Sequence, residues 1–161
     1  TIVFVLIGEG AEKKAVMQEA INKGVLNKNV FILDAVSKND LPQLYFECAV
    51  GSSFVIPIKE LWANSANKFF DTLAAGKPIL INHEGWQKEK IIKENIGYVL
   101  PVVINDDEVK KFLLYSQNKS LIAKQQENAL NIARQGYALD IALTKYNKIF
   151  ENILIKKNLN V

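Results

Sequence analysis

A chain of 161 residues with 49% apolar side chains has the makings of one folded domain with a single core, and disorder is not expected. Twenty basic against 17 acidic side chains leave a net charge of +3, a mild lean towards anionic ligands and far too little for a nucleic-acid binder. One cysteine, Cys48, excludes an internal disulfide, and one histidine, His83, argues against a structural zinc site; both fit a reducing, cytoplasmic setting.

No apolar run approaches the ~20 residues that cross a bilayer, and no signal peptide is visible. The chain opens on a threonine that leads straight into an apolar run, the pattern expected of a piece of a longer protein. Ile2–Ile7 is continuously β-branched and aliphatic, as in strands buried on both faces of a parallel sheet. Gly8-Glu9-Gly10 follows, then a helical stretch from Ala11 to Lys23 that stops at Gly24. This is half of a βαβ unit. It is no dinucleotide fingerprint, which would need a glycine where Lys13 stands.

A second strand spans Asn29–Asp34, and the loop Asp34-Ala35-Val36-Ser37 leads to a helix over Asp40–Cys48, with Pro42 tolerated in its first turn. Cys48 reads as a small buried hydrophobe. The third strand is expected over Val50–Pro57, including the apolar run Phe54–Ile58, and the fourth over Ile79–Asn82. Between them lies Asn64-Ser-Ala-Asn-Lys-Phe-Phe-Asp-Thr-Leu-Ala-Ala-Gly-Lys-Pro78, a loop and a short helix. Ser65 is the expected N-cap, Phe69, Phe70, Leu73 and Ala74 the packing face, and Gly76 the residue that ends the helix. Lys68 and Asp71 are three apart and share one side near its positive end, where phosphate binding is favoured.

Trp86–Glu94 is a helix with a solvated charged face, and Gly97–Pro101 a fifth short strand. His83, in the preceding loop, is expected at the surface. Trp86 is expected in packing, and Trp62 as either a lid or a core anchor. The alternation then ends. Helices are expected over Asp106–Tyr115, Lys119–Arg134 and Asp140–Lys156. The last carries an apolar stripe of Leu143, Tyr146, Phe150 and Ile153, with Lys145, Lys148, Lys156 and Lys157 elsewhere. The expected fold is therefore α/β: a doubly wound, Rossmann-like parallel sheet of about five strands, helices on both faces and C-terminal helices trailing. The loops after its strands are expected to line one ligand-binding edge.

The segment Asn67-Lys-Phe-Phe-Asp-Thr-Leu-Ala-Ala-Gly-Lys-Pro78 closely resembles the signature of retaining, family-4-type glycosyltransferases of the GT-B architecture, and the resemblance extends over nearly the whole chain. It implies the C-terminal, donor-binding domain, here without its first strand and without the separate N-terminal acceptor domain. The nucleotide-sugar-binding residues it implies are Gly8, Glu9 and Gly10 at the phosphates, Ala35 and Val36 at the base, and Asn64, Ser65, Asn67 and Lys68 at the diphosphate. Asp71, usually Glu in the family, would hold the ribose. No catalytic base is named from this half, and no metal or other cofactor is implied beyond the nucleotide-diphosphate sugar that serves as donor.

One departure is plain. Many members carry Glu eight residues before the ribose carboxylate, against the donor sugar; this chain has Ala63 there, and Glu60 is out of register. The resemblance implies a hexosyltransferase of bacterial surface-glycan synthesis, acting on a sugar or lipid-linked acceptor and inactive as this chain alone. The alternatives are a non-catalytic nucleotide-sugar-binding module and a GT-B-like epimerase. A peripheral contact with the inner membrane face and self-association through the last helix are further expectations.

Overall fold

The computed structural model describes residues 2–158, with side chains up to residue 154. Its backbone divides into two compact units, residues 1–44 and 45–161.

In the first unit, β1 (Phe4–Ile7) pairs in parallel with β2 (Val30–Leu33), Phe4 opposite Val30 and Ile7 opposite Leu33. Helix α1 (Lys13–Asn22) connects them, and Gly24 at φ +62 turns the chain out of it. Burial on both faces of β1 is not what forms: Val3, Phe4, Val5 and Leu6 are each more than 40% exposed. Two short strands and one ten-residue helix offer too little surface to enclose them.

Helix α2 (Leu41–Glu47) crosses the boundary between the units. Its end is tied into the second unit by Lys77, whose Nζ donates to the Phe46 carbonyl at 2.8 Å and lies over the Phe46 ring. Cys48 is a free thiol, half-buried.

The second unit holds a parallel sheet ordered β3 (Gly51–Ser53), β4 (Ile79–Ile81), β5 (Gly97–Val99). The five expected strands are thus present and parallel, paired as two and three. Strand β3 is shorter than expected. Phe54–Ile58 is irregular, with Phe54, Ile56 and Ile58 exposed. Pro57 has no N–H to donate, and the ladder is closed by a side chain instead. The Asn82 amide accepts from Val55 N–H and donates to Val55 O, both at 2.9 Å.

Helix α3 (Asn67–Ala74) links β3 to β4, and α4 (Trp86–Glu94) links β4 to β5. The core lies between these helices, β4 and α6 (Lys119–Ile132), built from Phe69, Leu73, Ile79, Ile81, Ile91, Ile96 and Ala129. Thr72, not Ala74, completes the buried face of α3; Ala74 is exposed. The reason is Gly51, where a Cβ would overlap the Thr72 side chain, so strand and helix meet there at backbone distance.

Asn105 caps α5 (Asp106–Gln117) by accepting from Glu108 N–H at 3.0 Å. Gln125 is buried and fully bonded: it accepts from Tyr115 OH at 2.8 Å and donates to Asn95 Oδ1 at 3.0 Å and to the Gly97 carbonyl at 2.9 Å. A π-turn, Ala133–Tyr137, leads into α7 (Leu139–Asn158). Along α7, Leu143, Tyr146, Phe150 and Ile153 are all more than half exposed, as is Leu139. Lys156 and Lys157 lie outside the described side chains.

Candidate nucleotide-sugar site

The N-terminal end of α3 is built by a strand that stops early and a turn absent from the sequence-based expectation. After β3 the chain passes through Phe54–Ile58 into a 3-10 turn, Lys59–Ala63, and then extends through Asn64, Ser65 and Ala66. Ser65 does not cap the helix. The capping position falls on Ala66, which is extended and has no polar side chain, so it forms no side-chain cap at this end. The helix C-terminus is closed as expected. Gly76 at φ +65 sends its N–H to Leu73 O at 2.9 Å, and Lys77 N–H reaches Thr72 O at 3.0 Å.

Asn64, Ser65, Asn67, Lys68 and Asp71 are brought together on this one end, and all five are exposed. Among the described residues, neither Lys68 Nζ nor the Asp71 carboxylate is in a hydrogen bond or ion pair, although Asp71 acts electrostatically on Tyr45. Burial pushes the Tyr45 phenol up, a hydrogen bond with Thr72 opposes this, and the nearby Asp71 charge adds to the rise. The end of α3 therefore presents uncapped N–H groups, with one cation and one carboxylate a turn apart, all open to a solute.

Two elements hold this end in place. Asn82 prolongs the β3–β4 pairing by one side-chain rung. The turn Asn82–Gly85 then brings α4 against the 3-10 turn. His83, expected at the surface, is 3% exposed there. Its Nδ1 lies 2.8 Å from the Glu84 carbonyl, which can only accept, so the proton is on Nδ1. Trp86 packs edge-on to Phe69 at 5.2 Å and stacks on Phe70 at 6.2 Å, the packing role expected of it. Ala63 closes the 3-10 turn with an exposed methyl, so no acid stands in the position where the family resemblance implies one.

In the first unit, Gly8, Glu9 and Gly10 line a cleft of about 210 Å³ together with Leu6, Lys13 and Ile32. Gly8 sits at φ +142, reachable by glycine, and its N–H donates to Leu33 O at 3.2 Å. A Cβ at Gly10 would meet nothing within 4 Å, so the chain's own packing does not require glycine there. Lys13 Nζ is held by Glu9 Oε1 and by Asp34 Oδ1, each at 2.6 Å. The Asp34 carboxylate and then Glu9 raise the Lys13 ammonium, and Lys13 in turn holds the Asp34 carboxyl below its usual range. This pair ties the glycine turn to the exposed, irregular stretch that carries Ala35 and Val36.

Among the described residues, no three His, Cys, Asp or Glu side chains gather as a metal set, and no helix is long and apolar enough to cross a membrane.

A scan of protein-family models finds no match, and a search of curated proteins finds none. Solved structures do match. HepE of Anabaena, in complex with UDP-glucose, superposes with a TM-score of 0.75 at 17% identity, over 93% of this chain and 41% of HepE. TarM of S. aureus, solved with fondaparinux, α-GlcNAc-glycerol and UDP, gives 0.70 at 18% identity over 92% of this chain and 29% of TarM. The C-terminal domain of LpcC, a group 1 glycosyl transferase of Francisella tularensis, gives 0.57 at 18% identity over 79% of this chain and 63% of that domain. The chain thus has the α/β, Rossmann-like fold of GT-B glycosyltransferases and spans less than half the length of HepE and TarM.

Proposed function

We propose that this chain is the nucleotide-sugar-binding half of a glycosyltransferase, with the diphosphate at the start of α3 and the ribose at Asp71. The observation that carries the reading is the open N-terminal end of α3, on a fold similar to that of HepE, which was solved in complex with UDP-glucose. Free N–H groups of the first turn and the Lys68 ammonium would meet the diphosphate oxygens, and Asp71 would accept from both ribose hydroxyls. Within the first unit, taken by itself, Gly8–Gly10 would offer backbone groups to phosphates, and Ala35 and Val36 to a base, as the family resemblance implies.

In the reaction, the anomeric C–O bond to the diphosphate breaks and its electron pair leaves with the nucleotide. A new C–O bond forms to an acceptor hydroxyl, whose proton passes to the departing diphosphate oxygen. The charge that grows on the leaving diphosphate would be met by dipoles and the ammonium fixed in advance. A separate acceptor domain, a sugar or lipid-linked acceptor, retention at the anomeric carbon, a role in bacterial surface glycans and a cytoplasmic site with peripheral membrane contact complete the proposal. Ala63 favours one second reading, a module that binds the donor and transfers nothing.

Titration calorimetry of the full-length protein with UDP, GDP and their sugars tests the assignment. Asp71→Ala removes a charged acceptor worth about 1.5–3 kcal/mol, so affinity is expected to fall roughly 10- to 100-fold. Its melting temperature should hold, because Asp71 is exposed. Absence of binding to every nucleotide tried would sink the reading. Binding without transfer to any acceptor would favour the module.

A further inference from the structure

The stretch that feeds α3 is held by the turn before α4. Gly85, at φ +94, lies flat on Trp62: a Cβ there would stand 2.6 Å from the Trp62 carbonyl oxygen. The two residues that follow both donate to one acceptor. Trp86 Nε1 reaches the Asn64 carbonyl at 3.3 Å and Gln87 Nε2 reaches it at 2.8 Å. Asn64 is three residues before the first residue of α3, so these donors hold the Asn64–Ser65 peptide in the stretch that leads to the open helix end.

Gln87 is an expensive way to fill its place. It is 1% exposed, and among the described residues its buried Oε1 has no hydrogen-bond partner; the buried Trp62 Nε1, on the residue that Gly85 packs against, has none among them either. A buried polar atom left unmatched costs free energy that an apolar side chain of the same shape would spare. Packing alone therefore does not account for a glutamine here. What the glutamine supplies and an apolar side chain cannot is the bond to Asn64.

We infer that Gln87 is a positioning residue for the nucleotide-sugar site, holding the Asn64 carbonyl so that the backbone from Asn64 to Lys68 is set for the diphosphate before it arrives. This rests on the reading of α3 under Proposed function. A preset loop loses less freedom on binding, so the effect is on affinity rather than on folding.

The test uses full-length protein, with UDP and GDP as probes. Gln87→Met keeps the shape, removes the donor and removes the unmatched Oε1. It should weaken binding of the nucleotide that the wild type prefers about tenfold, with an unchanged or higher melting temperature. Gln87→Glu lacks the donor while ionised and regains it when protonated, so its affinity should recover as pH is lowered; Gln87→Met should show no such recovery. A purely structural role would not give that pH profile. Unchanged affinity in folded Gln87→Met, or in Trp86→Phe where the Met variant does not fold, overturns the inference. A wild-type protein that binds neither probe while Asp71→Ala behaves identically overturns the underlying reading, and this inference with it.

Discussion

Residue types at the α3 end were readable because their chemistry is local. Lys68 and Asp71 share a side by helical spacing, and Gly76 ends the helix by its free φ. Gln87 was not readable. It acts on Asn64 from 23 positions away, and nothing near either residue announces the bond. Asp34, in the loop after the second strand, and Lys13, standing where a dinucleotide fingerprint would need glycine, give no local sign of each other. Together they form an ion pair that bridges two loops. The signs of this pair are definite. Asp34, held down by Lys13, contributes above the usual carboxylate range, and that contribution fades as pH falls through its lowered value. Lys13, held up by Asp34 and Glu9, contributes below its usual value of 10.5 and loses the contribution as pH rises past its raised one. Lys13→Met should therefore move the Asp34 titration midpoint upward, which carboxyl chemical shifts in NMR would follow. An unmoved midpoint would mean that the pair does not form in solution.

At the scale of elements, helices were placed better than strands. Trp86–Glu94 falls where the sequence puts it, because Gly85 opens it and Asn95, at φ +48, closes it. Phe54–Ile58 departs from the expected strand: Asn82 adds one side-chain rung at Val55, and the rest of the apolar run continues without a ladder, exposed at Phe54, Ile56 and Ile58. Helices α5 and α6 meet β5 through one polar link, Tyr115 to Gln125, which pattern reading does not see. Tyr115→Phe leaves the Gln125 oxygen unmatched and should cost about 1–3 kcal/mol in urea unfolding at neutral pH. Burial, and then the neighbouring Tyr98, push the Tyr115 hydroxyl far above its usual 10. Above that pH the unfolded chain ionises this group while the folded chain resists, so stability declines with rising pH. The variant lacks that dependence, and the gap to wild type should narrow in strong alkali. A gap that stays constant would assign the loss to packing.

For the molecule as a whole, the exposed faces are as informative as the core. Helix α7 presents Leu139, Leu143, Tyr146, Phe150 and Ile153 to solvent, a contiguous apolar stripe of the kind that normally has a cover. Residues 1–161 on their own should therefore self-associate at high concentration, and Leu143→Lys with Phe150→Lys should return them to monomers in light scattering. Monomers from the unaltered chain at high concentration would count against this. A second exposure has a different consequence. Strand β1 has one hydrogen-bonded neighbour among the described residues, and its Phe4-Val5-Leu6-Ile7 side chains, with Val3 before them, carry no charge, proline or glycine. Such a strand is a template onto which identical copies can stack rung upon rung, so slow fibril growth is the failure to expect when this chain is stored.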